Sequence, residues 1–153
     1  MIEEKIRYIS RFIDGYSGYG DVSGDIERVN HFIRDRVMRV NSVVARLASH
    51  VPPDVSSYFT MVSRLSSNVM SILSMEYRDV DVSGDIVEKL VEVDYKIVEV
   101  LNTAVKILDS LVGGLSLPMS REYGVLIYRL FSKLKDLLNV RLQLLGLIGG
   151  DKE

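Results

Sequence analysis

No cysteine occurs among the 153 residues, which excludes disulfides, thiolate nucleophiles and any zinc or iron–sulfur site that needs a thiolate. The absence also suits a reducing compartment. Tryptophan is missing too, and only three prolines interrupt a chain that is 47% hydrophobic and 26% charged. Neither sign of charge dominates. With a net charge of -2 and a pI near 5.7, no overall basic field draws the chain onto nucleic acid or an anionic membrane. Long hydrophobic runs are lacking as well: the most apolar stretch, Leu144 to Gly150, is far shorter than the roughly 20 residues that span a bilayer. The start, MIEEKIRYIS, is charged from its third residue, unlike a secretory signal. The expectation is one soluble, cytoplasmic domain over residues 1–153, not tied to a membrane and needing no cofactor.

What is present is helical periodicity. Apolar residues recur at three- and four-residue steps throughout, which predicts an all-α bundle of four long helices preceded by a short one. The short helix covers about 2–14, with Ile2, Ile6, Ile9 and Ile13 on one stripe, and ends at Asp14-Gly15. The second covers about 24–50, capped by Asp21 or Ser23 and stopped by Pro52-Pro53. The third covers about 54–77. Asp79, Asp81 and Ser83 then break the pattern before the fourth, about 84–112, which Gly113-Gly114 terminates. The fifth runs over about 117–147, where Pro118 falls in the first turn.

Helix four is the most diagnostic. Ile86, Val93, Val100 and Ile107 interleave with Leu90, Ile97, Ala104 and Leu111 in an unbroken seven-residue repeat, and Val91, Val98, Val105 and Val112 form a second stripe beside it. A helix apolar over more than half its circumference belongs at the centre of a bundle. Antiparallel pairing of helices four and five about Gly113-Gly114-Leu115-Ser116 would set Glu88 level with Arg141, Asp94 with Lys135 and Glu99 near Arg129. Opposed partners would explain why Asp94 and Arg141 sit on otherwise apolar stripes.

The hexapeptide Asp-Val-Ser-Gly-Asp-Ile occurs at 21–26 and again at 81–86. An offset of 60 residues also pairs Ile33 with Val93, Val37 with Ile97 and Val40 with Val100. Two readings stand: a duplicated helix–loop–helix unit that joins each odd-numbered helix to the long helix after it, or convergence on a good helix cap.

Few residues offer chemistry. Asp21, Ser23 and Asp25 have the one-three-five oxygen spacing that opens a calcium loop, but Ile26 stands where that loop needs glycine, so capping is preferred and no metal site is expected. The loop Asp14-Gly15-Tyr16-Ser17-Gly18-Tyr19-Gly20 reads as a flexible connection whose two tyrosines can stack on a partner. The two histidines, His31 and His50, read as surface residues. No nucleophile, triad or di-iron pattern stands out, so no catalytic residue is assigned and a non-enzymatic role is expected. The weakest rival is an enzyme site built from Arg39, His50 and Asp94.

Charge and side-chain size are more informative. Residues 28–50 carry five arginines against Asp35, a net of +4, and Arg28, Arg39 and Arg46 lie within about 20° of one another on the helix with His50 close by. Residues 79–99 carry a net of -5. The two surfaces can neutralise each other, or the basic one can follow a nucleic-acid backbone. Helix three is unusual in another way. Its polar face is serine, including Ser63 and Ser67, with Arg64 the only charge between Asp54 and Glu76, and Met61 and Met70 add adaptable apolar contact. The first functional expectation is therefore a bundle that self-associates or joins a protein partner through Ser63, Ser67, Met61 and Met70. The alternative is a nucleic-acid-binding subunit using Arg28, Arg39, Arg46 and His50.

Overall fold

The computed structural model describes residues 2–75, 82, 84–113 and 117–146. They form five helices, with no strand among the described residues: α1 (Ile2–Ser10), α2 (Val22–Ala48), α3 (Pro53–Leu73), α4 (Gly84–Gly113) and α5 (Leu117–Leu144). The all-α bundle expected from periodicity is the observed architecture. Helix ends follow local chemistry. Asp21 caps α2 by accepting a hydrogen bond from the Gly24 amide at 3.2 Å. Pro52 and Pro53 start α3 where a missing amide costs nothing. The first helix is shorter than expected: regular structure ends at Ser10, and the chain continues through two turns, with the Phe12 and Ile13 amides both bonded to the Ile9 carbonyl, before Gly15 turns it at φ +85°. The turn residues 114–116 and the second Asp81-Ser83 cap lie outside the described residues.

The four long helices form a ring. α2 packs on α3 and α4, α5 packs on α3 and α4, and α1 lies against α4, leaving α3 and α4 diagonal. Direction follows from paired residues. Asn30 of α2 meets Arg141 of α5 beside Asp94 of α4, while Arg39 further along α2 meets Asp109 further along α4, so α2 and α4 run parallel. Arg121 meets Asp54, and the Tyr58 and Tyr128 rings lie 6.5 Å apart, so α3 and α5 run parallel too. Two antiparallel hairpins, α2–α3 and α4–α5, therefore lie side by side. The packing units are these two hairpins.

Helix four earns its central place through burial. Leu90, Val93, Ile97, Val100 and Ala104 of the first stripe and Val91 and Val98 of the second are buried, with Leu101 and Leu108 beside them; Ile86, Val105 and Ile107 are half-buried, and the side chains of Leu111 and Val112 lie outside those described. Each large aliphatic side chain removed from water there contributes about 1.5–3 kcal/mol. The core runs from Ile9 and Ile13 through α2 and α4 to Phe59 on α3 and Phe131 on α5.

Candidate functional site

The tightest polar cluster lies inside the bundle, where the loop after α1 meets the N-terminal part of α2. Asp25, wholly buried, organises the loop: its carboxylate accepts from the Ser17 and Tyr19 amides at 3.0 and 2.7 Å, from the Ser17 hydroxyl at 2.8 Å and from Arg28 at 2.7 Å. The loop can close this tightly because Gly15 and Gly18 both take positive φ, and a methyl at Gly18 would press on Ile6. Tyr19 also sits at φ 75°, a conformation that costs a side-chain-bearing residue on the order of 1–2 kcal/mol. The hydrogen bonds donated by its amide to Asp25 and by its phenol to Asp94 offset that cost. An ordered loop thus replaces the flexible connection read from the sequence, and both tyrosine rings are buried rather than offered to a partner.

The phenols of Tyr16 and Tyr19 donate to one oxygen of Asp94 at 2.8 and 2.6 Å. The other Asp94 oxygen lies 3.7 Å from Nε of Arg141, whose Nη1 donates to Asn30 at 2.7 Å and whose Nη2 donates to the Ile26 carbonyl at 3.3 Å. Asp94 is 0% and Arg141 1% exposed. Burial pushes the Asp94 carboxyl up to about 6, against the pull of Arg141 and the two phenols, and burial together with Asp94 raises both tyrosines. Asp94 is thus mostly ionised at neutral pH and supplied with donors. Asp94 Oδ2 takes both phenols, while Oδ1, 3.7 Å from Arg141 Nε, is held by charge rather than by a hydrogen bond, so the cluster ties the loop to α2, α4 and α5.

The pairing of α4 with α5 is antiparallel as expected, but its partners differ. Arg141 meets Asp94, not Glu88, and Asp94 does not meet Lys135. Side chains lean toward the N-terminus of their own helix, and in an antiparallel pair this makes Asp94 and Arg141 lean toward each other across about six residues of stagger.

Comparison with protein-family models, curated proteins and solved structures finds no match.

On α2, two of the three arginines in the expected nucleic-acid line hold carboxylates: Arg28 pairs with Asp25 and more loosely with Asp21 at 3.4 Å, and Arg39 pairs with Asp109 at 3.4 Å. Arg46 and His50 are exposed at the far end, where the His50 ring nitrogen lies 2.9 Å from the Arg46 carbonyl. Arg39, His50 and Asp94 do not come together, because about 20 residues of α2, some 30 Å, separate His50 from the level of Asp94. On α3, Ser67 is exposed while Ser63, Met61 and Met70 are half-buried. Among the described residues no group of three or more His, Asp or Glu can hold a metal, and no helix is long and apolar enough to cross a membrane.

Among the described residues, two open grooves are the roomiest of those seen. One, about 490 Å³, is mainly apolar and lies between Phe12 and Phe32 with His31 and Arg36 at its edge. The other, about 400 Å³, lies where α4 and α5 meet below α1, and Lys96, Lys106 and Lys133 line it with Tyr8. Sequence reasoning missed the tyrosine–aspartate tie and this lysine groove. The first left a trace: Asn30, Asp94 and Arg141 each occupy an apolar stripe.

Proposed function

We propose that the chain is a non-enzymatic helical-bundle subunit that self-associates, with the outer face of α3 meeting the same face of a second copy. The carrying observation is where the hydroxyls on that face point. Ser57 donates to the Asp54 carbonyl at 3.0 Å, Thr60 to Ser56 at 3.1 Å and Ser74 to Ser71 at 2.8 Å. At these three positions the hydroxyl proton is already used within the helix, so that part of the face leaves water at small cost. Small side chains at Ser63, Ser67 and Ser71 allow helices to approach closely, and Met61, Met70 and the exposed Met75 provide adaptable contact. A face this poor in charge meets its own copy without strong like-charge repulsion.

Light scattering at two protein concentrations tests the reading. Mass should rise toward a dimer with concentration. The double substitution Ser63→Lys and Ser67→Lys should give a folded monomer, because buried unpaired ammonium groups are costly in an interface and tolerated in solvent. A protein that stays monomeric at the higher concentration overturns the proposal.

A further inference from the structure

The geometry points to a ligand site on the opposite side of the molecule: the groove between α1, α4 and α5 binds a phosphorylated nucleoside, its phosphate on Lys96, Lys106 and Lys133 and its base against Tyr8. A volume of about 400 Å³ falls in the range of small-ligand sites. Lys96, Glu99, Thr103 and Lys106 follow one another at three- and four-residue steps, so they form one stripe of α4, and Lys133 reaches the same groove from α5. Three ammonium groups face a single carboxylate there, in a chain whose net charge is -2. Lys106 and Lys133 form no ion pair among the described residues, and Lys96 reaches only Glu92, at 3.6 Å. An anion between them removes their mutual repulsion. Lysine ammoniums act as point charges that suit a phosphate, whereas planar carboxylate recognition favours the arginine fork.

The aromatic wall supplies the rest. Tyr8 is half-buried and held between Tyr95, edge-on at 5.1 Å, and Phe12, at 5.2 Å, so little ordering remains to be done when a base stacks on it. The Arg11 guanidinium already lies 5.7 Å from the centre of the Tyr8 ring. Asn102 and Thr103 add neutral hydrogen-bonding groups within reach of a sugar or base edge. Because α3 is diagonal to α4, this site does not depend on the α3 interface.

Calorimetry on the full chain with ADP, adenosine and inorganic phosphate tests the site, and a fluorescein-labelled single-stranded oligonucleotide tests whether the nucleoside phosphate is taken free or within a strand. ADP or the oligonucleotide should bind at least about tenfold more tightly than adenosine or phosphate alone. Lys106→Gln with Lys133→Gln should weaken that binding by about tenfold or more with an unchanged helical circular dichroism spectrum. Tyr8→Leu should weaken nucleotide binding and leave phosphate binding as it was. Arg64→Gln, exposed on α3, should change neither. Binding confined to ADP identifies a free nucleotide, and binding confined to the oligonucleotide identifies a strand; either supports the site if the lysine pair is required. No binding of either probe at millimolar concentration, equal affinity for phosphate and ADP, or affinity indifferent to the lysine pair overturns it.

Discussion

Tyr19 holds an unfavourable backbone angle in order to place one hydroxyl 2.6 Å from Asp94. Tyr19→Phe keeps the angle and the ring and loses only that donor. It should destabilise the fold by about 1–3 kcal/mol and move the Asp94 carboxyl above its value of about 6, since the phenol is one of the groups that hold it down. Carboxyl-detected NMR titration reads the shift directly, and an unmoved titration would show that the phenol does not act on the charge. Asp94 itself gives the pH dependence an unusual sign. Its folded value of about 6 exceeds the ordinary 3.8, so the folded chain binds this proton more tightly than the unfolded chain does. The stabilisation is fully present below about pH 4 and is lost as pH rises through about 6, amounting to roughly 3 kcal/mol. Urea unfolding of the wild type and Asp94→Asn between pH 4 and 7 should show the difference between them falling by up to that amount as pH rises. Parallel curves would mean that Asp94 titrates normally.

Arg141 is the point at which three elements meet, since it contacts Asp94 on α4 and Asn30 and the Ile26 carbonyl on α2 from its own place on α5. Arg141→Met should cost about 3–5 kcal/mol, because it strands Asp94 among apolar neighbours. Asp94→Asn in the same chain should recover a large part of that loss while leaving an acceptor for the two phenols; chemical denaturation of the single and double variants measures the coupling. The helices were legible in the sequence because their signal is local: seven-residue repeats in α4, prolines before α3 and an aspartate before α2. The tie was not, because Tyr16 and Asp94 stand 78 residues apart and hydroxyl-to-carboxylate contact leaves no periodic mark. Asp94 and Arg141 were visible as misfits on apolar stripes, yet ideal helix levels assigned them the wrong partners, since level counting ignores the direction in which side chains lean. The lysine groove was hidden for a related reason. Its charges come from α4 and α5, while sequence counting drew attention to the single run of arginines on α2.

At the scale of the whole molecule, α1 and its loop act as a cover over α4. Lys5 pairs with Glu92, which raises the lysine and lowers the glutamate, Tyr8 packs on Tyr95, and the loop delivers both phenols. A chain that starts at Asp21 would lose all of these and leave the Asp94 carboxylate without its hydroxyl donors. It should unfold with low cooperativity and bind a hydrophobic dye such as ANS at neutral pH, whereas a sharp wild-type-like transition would show that the cover is dispensable. The same long-range tie bears on how the protein is made. Asn30 and the Ile26 carbonyl obtain the guanidinium that holds them only from a residue 111 and 115 positions later. During translation the α2–α3 hairpin therefore leaves the ribosome with that polar pocket unfilled, and the bundle can lock only after Arg141 has cleared the exit tunnel. Nascent chains stalled with Arg141 still inside the tunnel should be cut readily by protease, and those carrying a C-terminal linker long enough to bring Arg141 outside should resist, which ties the closing step of folding to the emergence of Arg141.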